Sequence, residues 1–89
     1  RANIIKAWEG ARNTATTTAD KAEISYRQAG GPMLSPEESA ELHRSVIDAV
    51  GNFLEANPRG QAQLSRTAYA AARAWVLEHA VRLRSGTGR

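Results

Sequence analysis

The sequence predicts an all-α fold, a three-helix bundle that runs up, down and up, with long first and third helices. Three segments place apolar residues at the three- and four-residue spacing of amphipathic helices, and no segment shows the period-two alternation of a strand. Two groups of helix-breaking residues, Gly30-Gly31-Pro32 and Asn57-Pro58, separate these segments. Short connections between amphipathic helices favour antiparallel neighbours, so we expect a single helical domain over residues 1–89.

The composition is that of a small folded domain. Of its 89 residues, 42% are apolar and 24% are charged, which is too apolar for intrinsic disorder. No apolar run approaches the ~18 residues of a membrane span, and no signal-peptide pattern is present, so we expect a cytoplasmic protein without a membrane partner. The chain begins with Arg1 and not methionine, so a fragment of a larger protein stays an open alternative.

The first segment, residues 2–28, has an apolar side that is mostly alanine between bulky ends. Small side chains let a neighbouring helix approach closely, so we expect tight packing in the middle and anchoring at Trp8 and Tyr26. Gly10 and three consecutive threonines are poor helix formers, so a break near Asn13–Thr18 is the main alternative. The apolar positions are Ile4, Trp8, Ala11, Ala15, Ala19, Ala22 and Tyr26.

The second segment has the clearest start signal in the chain. Ser35 is suited to cap a helix, Pro36 fits its first turn, and Glu38 stands where a capping box requires a glutamate. We expect a helix over residues 36–56, with a loop over residues 29–35 before it. Its predicted core face comprises Leu42, Val46, Ile47, Val50, Phe53 and Leu54, and its predicted solvent side carries Glu41, Asp48 and Glu55.

The third segment predicts one long helix over residues 58–84, followed by a frayed tail at residues 85–89. Asn57 would cap this helix and Pro58 would occupy its first turn. Alternatively, Gly60 keeps residues 57–61 as a loop and delays the start. The predicted core face comprises Leu64, Ala68, Ala71, Ala72, Trp75, Val76 and Leu83.

Four arginines of the third segment recur at spacings that return a side chain to nearly the same angle on a helix, namely Arg59, Arg66, Arg73 and Arg84. They would extend about 37 Å along the helix and could follow a phosphate backbone, so nucleic acid, DNA included, is one candidate partner. Residues 35–57, in contrast, carry five carboxylates against Arg44 alone. These carboxylates would repel a phosphate backbone and so weaken the nucleic-acid interpretation. They favour a protein surface that combines a basic face on the third helix with an acidic face on the second.

The third helix is also apolar on a side that should face water. Leu77 and Val81 lie one turn apart, on the side away from Trp75. A helix that is apolar all round is usually buried all round, so we expect a protein partner or a second copy of the chain to cover this side. Contact between acidic and basic faces of different copies, if not closed by symmetry, would build rings or filaments. The predicted interaction residues are Ala70, Ala74, Leu77 and Val81.

We expect no enzymatic activity and no cofactor. The sequence contains no cysteine, Gly-rich phosphate loop, Gly-x-Ser-x-Gly or His-Glu-x-x-His motif. His43 and His79 lie at edges of apolar faces, where hydrogen-bonded histidines are expected more often than metal ligands. The predicted function is therefore a non-enzymatic helical module for protein interaction or oligomerisation. Nucleic-acid binding is the alternative, and a regulatory or lid domain of a larger enzyme is a third.

Overall fold

The computed structural model describes the backbone of residues 2–87 and the side chains of residue 6 and residues 8–80. It contains three α-helices, α1 (Ala2–Gln28), α2 (Pro36–Ala56) and α3 (Leu64–Thr87), with a short 3-10 helix, Gln61–Gln63, before α3. All three pairs of helices are in contact, and the described residues form no strand. The predicted all-α three-helix bundle is therefore confirmed, as an elongated body of 52 × 18 × 18 Å.

Helix α1 is continuous, so the alternative break near Asn13–Thr18 does not occur. Ala11, Ala15 and Ala19 are buried to 1% exposure or less, and this close packing outweighs the weak helix propensity of the threonines between them. The expected anchors at the two ends are less complete. Trp8 packs on Gly51 but keeps 45% of its surface exposed, and Tyr26 is half-buried against Gly31.

The loop between α1 and α2 begins and ends with the capping interactions that its sequence predicts. Gly30 has a φ of 97°, a left-handed conformation that favours glycine and ends α1. At the start of α2, the Ser35 Oγ accepts a hydrogen bond from the Glu38 N–H at 3.1 Å. The Glu38 Oε1 accepts one from the Ser35 N–H at 2.8 Å. The capping box is therefore complete.

The core lies along the axis of the bundle and consists of alanines from α1 and α3 around larger side chains from α2. Most of the predicted core positions of α2 and α3 are buried, and Ile47, Phe53, Ala71 and Val76 are partly buried against them. Leu83 and Ile4 fall outside the described side chains. The buried residues of α2 and α3 are Leu42, Val46, Val50, Leu54, Leu64, Ala68, Ala72 and Trp75.

The predicted start of the third helix near Pro58 is wrong, and the alternative of a delayed start after Gly60 is the one that the structure shows, because α3 begins at Leu64. The Gly60 N–H donates to the Asn57 carbonyl at 2.8 Å and the Gln63 N–H donates to the Gly60 carbonyl at 3.0 Å, which makes two tight turns before α3. Gly60 is buried under Phe53, where an added Cβ would lie 2.7 Å from the ring. This close approach requires glycine and keeps the chain in a turn.

The far end of α3 also differs from the expectation of a frayed tail over residues 85–89. Residues 85–87 belong to α3, and the last two residues lie outside the described part of the chain. Over the residues that the structure describes, none of the helices carries an apolar stretch long enough to cross a membrane.

Candidate functional site

The interface between α1 and α2 contains side-chain hydrogen bonds in addition to apolar packing. The Ser39 hydroxyl donates to Glu23 Oε1 at 2.9 Å. One turn further along α2, His43 Nε2 lies 2.7 Å from Asp20 Oδ1, and His43 Nδ1 lies 2.8 Å from the Ser39 carbonyl oxygen. Both ring nitrogens therefore face oxygen acceptors, and only the protonated ring carries an N–H on each nitrogen.

The surroundings of His43 favour its charged form. Burial of the ring lowers the pKa, but this effect is outweighed by the hydrogen bonds to the Ser39 carbonyl and the Asp20 carboxylate, together with the charges of Asp20 and Glu23. The pKa of His43 is consequently raised above its ordinary value of 6.5. The contact between α1 and α2 is thus strongest when His43 is protonated.

The interface between α2 and α3 is organised by Glu41. Its Oε2 accepts a hydrogen bond from the Trp75 indole Nε1 at 3.0 Å and lies 3.0 Å from His79 Nε2. The His79 ring stacks on Trp75 at a centroid distance of 4.3 Å, and its Nδ1 lies 2.8 Å from the Trp75 carbonyl oxygen. The assignment of Glu41 to a purely solvent-facing side is therefore wrong, because this carboxylate binds α3 within the same chain.

The two histidines contact carboxylates of different helices. His43 contacts Asp20 of α1, whereas His79 contacts Glu41 of α2. Among the described residues, no group of three or more His, Cys, Asp or Glu side chains is placed to hold a metal ion. At these two positions, the carboxylates act as hydrogen-bond partners between helices.

The interface between α1 and α3 has a different character. No side-chain hydrogen bond or ion pair joins these two helices among the residues with described side chains. Instead, an open groove of about 730 Å³ runs between them, which we call the α1–α3 groove. Its apolar lining includes Ala22, Tyr26, Tyr69, Ala72, Val76 and Leu77.

Large apolar side chains are exposed beside this groove. Tyr69 is 65% exposed and Leu77 is 63% exposed, and both belong to α3 and line the α1–α3 groove. Ala70 and Ala74, which the sequence also assigns to the interaction surface, are exposed on α3. The side chain of Val81 lies outside the described residues, so its predicted role stays a prediction.

Tyr69 is the member of this surface that the sequence analysis missed. It is not among the predicted interaction residues, although Tyr69, Arg73 and Leu77 follow one another at a spacing of four and therefore share one side of α3. That spacing is the sequence signal that could have identified it. The spacing does not show which helix lies next to this side of α3, and the structure shows that it is α1.

The predicted row of four arginines is not a single helical row. Arg66 and Arg73 are exposed on α3, but Arg59 precedes α3 in the turn after α2, so the helical spacing does not extend to it. The side chain of Arg84 lies outside the described residues. Among the residues with described side chains, Arg73 and Lys21 of α1 are the two charged residues that line the α1–α3 groove.

Compared with known proteins, the chain matches no family model, no curated protein and no solved structure. Its function must therefore be inferred from the geometry and charge of the described residues.

Proposed function

We propose that this chain is a non-enzymatic protein-interaction module that binds through the α1–α3 groove and the adjoining outer side of α3. The observation that carries the proposal is the exposure of Tyr69 and Leu77 beside an apolar groove. Isolated exposed apolar residues are common on protein surfaces, but two large ones on one helix side next to an apolar depression favour an interaction site.

The energetics of apolar burial support the same surface. Burying a large apolar side chain contributes roughly 1.5–3 kcal/mol relative to leaving it in water. Leu77 and Tyr69 each leave more than three fifths of their surface exposed in the isolated chain. A partner that covers both would recover much of this free energy, whereas the bundle itself does not.

The experiment compares two substitutions that each place a carboxylate at an exposed helical position. Leu77→Asp lies in the α1–α3 groove, and Asn52→Asp lies on the exposed side of α2 and serves as the control. The oligomeric state is measured by sedimentation over a range of concentrations, and protein partners are measured by co-purification of the full chain from its native cells. We expect Leu77→Asp to raise the dissociation constant of the complex, with a second copy or with another protein, by tenfold or more. The reason is that a desolvated carboxylate would replace an apolar contact.

Two results together would contradict the proposal. One is a wild-type chain that stays monomeric at every concentration. The other is a Leu77→Asp variant that retains every partner of the wild type. The Asn52→Asp control should behave as the wild type in both measurements, because added surface charge by itself has little effect on stability or association.

Nucleic-acid binding is the second candidate, and it is supported by the absence of carboxylates from the lining of the groove beside Lys21 and Arg73. If phosphate contacts dominate, affinity for duplex or single-stranded oligonucleotides should fall steeply as the salt concentration rises, and Arg66→Gln and Arg73→Gln should each reduce that dependence. Absence of salt-sensitive binding near physiological ionic strength excludes this candidate.

A further inference from the structure

The α1–α3 groove is long enough to hold about three turns of another helix. On α3 its lining extends from Ser65 to Leu77, which is about 18 Å at 1.5 Å per residue, or about three helical turns. Its walls are two helices of a bundle. If a helix from outside the chain placed its apolar side between α1 and α3, it would form a four-helix bundle together with α2. Amphipathic helices commonly bind apolar grooves in this way.

The charges around the groove select the kind of helix that fits. The two charged side chains of its lining, Lys21 and Arg73, are both basic and exposed, and they stand on opposite walls. None of the described lining residues is a carboxylate. A helix with an apolar stripe between acidic flanks would therefore meet an unlike charge on both sides, whereas a basic helix would meet like charges.

A second copy of this chain fits the groove poorly. Two grooves packed symmetrically would bring Lys21 and Arg73 of one copy against the same basic residues of the other. The acidic helix α2 offers no apolar residue for the groove, because the large exposed apolar side chains among the described residues all lie outside it. These residues are Trp8, Ile24, Met33, Tyr69 and Leu77.

The exposed apolar residues of α1 outside the groove are flanked by charges of both signs. Ile24 has Asp20 and Glu23 within one turn, but also Lys21 and Arg27, and Trp8 is followed by Glu9 and, one turn later, by Arg12. Met33 belongs to the loop between α1 and α2 and not to a helix. On the described surface of the chain, every large exposed apolar side chain of a helix therefore has a basic residue within one turn, and none is flanked by carboxylates alone.

We infer that the α1–α3 groove binds an amphipathic helix with acidic flanks that belongs to a different protein. This inference rests on the proposed interaction function and adds the chemistry of the partner to it. Tyr69, Val76 and Leu77 would contact the apolar stripe, and Lys21 and Arg73 would contact the carboxylates. Because these two basic residues are exposed, they contribute selectivity between partners more than total affinity.

A display selection with the full chain as bait tests this inference. The library consists of amphipathic helices with leucines at helical spacing and with the flanking positions randomised among Glu, Gln and Lys. We expect the bound pool to be enriched in Glu at the flanks. A selected acidic helix should bind roughly tenfold more tightly than the same helix with Lys at those positions, as two exposed ion pairs would give. The preference should weaken as salt is added.

Two sets of variants assign the binding to the groove. The double variant Lys21→Glu/Arg73→Glu should reverse the preference toward Lys-flanked helices, and Leu77→Asp should abolish binding of both kinds. Arg44→Glu, which changes the same type of charge on the exposed side of α2, should leave the preference unchanged. Circular dichroism of each variant checks that the bundle is folded.

The outcomes separate this inference from the proposed function. Helices that bind in a Leu77-dependent way without a charge preference, or with a preference for Lys, overturn the acidic-helix inference and leave the interaction function standing. The acidic-helix inference also falls, and the interaction function also stands, if no helix is selected but Leu77→Asp disrupts self-association. In that case a second copy of the chain occupies the groove. If instead a single-stranded oligonucleotide binds the groove and no helix is selected, the partner is nucleic acid and the proposed function falls as well.

Discussion

The two interfaces made by α2 differ in kind from the interface between α1 and α3. Helix α2 is joined to α1 by His43 and Ser39 and to α3 by Glu41, so apolar packing is supplemented by hydrogen bonds on both sides. Between α1 and α3, the described side chains make no such bond and leave the α1–α3 groove open. The difference indicates that α2 joins its neighbours by packing and hydrogen bonds, while the described side chains hold α1 and α3 together by packing alone and leave a groove open between them.

The largest expected effect comes from comparing two leucines on the two sides. Leu42 of α2 is completely buried, whereas Leu77 of α3 is 63% exposed. Leu42→Ala should lower the free energy of unfolding by about 2–5 kcal/mol, through lost transfer free energy and a cavity. Leu77→Ala should change it by about 0.5 kcal/mol or less, since most of the Leu77 side chain is already exposed to water.

Urea unfolding followed by far-ultraviolet circular dichroism measures both variants. If the two substitutions had equal costs, the groove would be part of the folding core and the contrast between the two sides would fail.

An effect of intermediate size is expected at the interface between α2 and α3. Glu41→Ala would leave the indole N–H of Trp75, a residue only 5% exposed, without its carboxylate acceptor. The expected loss is about 1–3 kcal/mol, the cost of an unsatisfied buried donor. Glu41→Gln keeps an oxygen acceptor in the same place and should therefore cost less.

The comparison of the alanine and glutamine variants by thermal unfolding isolates the hydrogen bond from the packing of the side chain. Equal losses for both variants would indicate that the acceptor oxygen contributes little to this interface.

The smallest expected effect is a pH dependence at the interface between α1 and α2. The pKa of His43 is raised above 6.5 in the folded chain by Ser39, Asp20 and Glu23, although burial opposes this. The stability gained from protonated His43 should therefore be fully present below the unfolded value of about 6.5, and it should be lost as the pH rises through the folded pKa.

Unfolding of the wild type and of His43→Gln, measured from about pH 5 to pH 9, provides the test. The difference in unfolding free energy between them should be larger at the acidic end. Asp20→Asn should reduce this difference, because it removes the carboxylate that faces the ring. A difference that grows toward alkaline pH would contradict the assignment.

The sequence predicts the parts of the fold that depend on local patterns. The capping box at Ser35 and Glu38 and the spacing of buried residues in α2 are determined within a few neighbouring positions, so both could be read from the chain. The start of α3 could be read only as two alternatives, because the choice between them depends on Gly60 packing under Phe53, which belongs to the preceding helix. The helix-start signal at Asn57 and Pro58 is local, so it does not reveal the contact between Gly60 and Phe53.

The candidate site was predictable only in part, for the same reason. Leu77 is identified by its position opposite Trp75, a relation within one helix. Tyr69 and Lys21 become site residues only when α1 and α3 lie side by side. Similarly, the helical spacing places Glu41 on the solvent side of α2, and only the position of α3 decides that its half-exposed carboxylate binds Trp75 and His79.

The central claim is that the α1–α3 side of the bundle, and not the α2 side, binds a protein partner. Site-specific photo-crosslinking in the native cells tests it most directly, with a photoreactive residue placed in the full chain at Tyr69 or Leu77 and, as the control, at Asn52 of α2. We predict protein adducts from the two groove positions and none from the control position. Adducts that form equally at all three positions, or only at Asn52, would contradict the account.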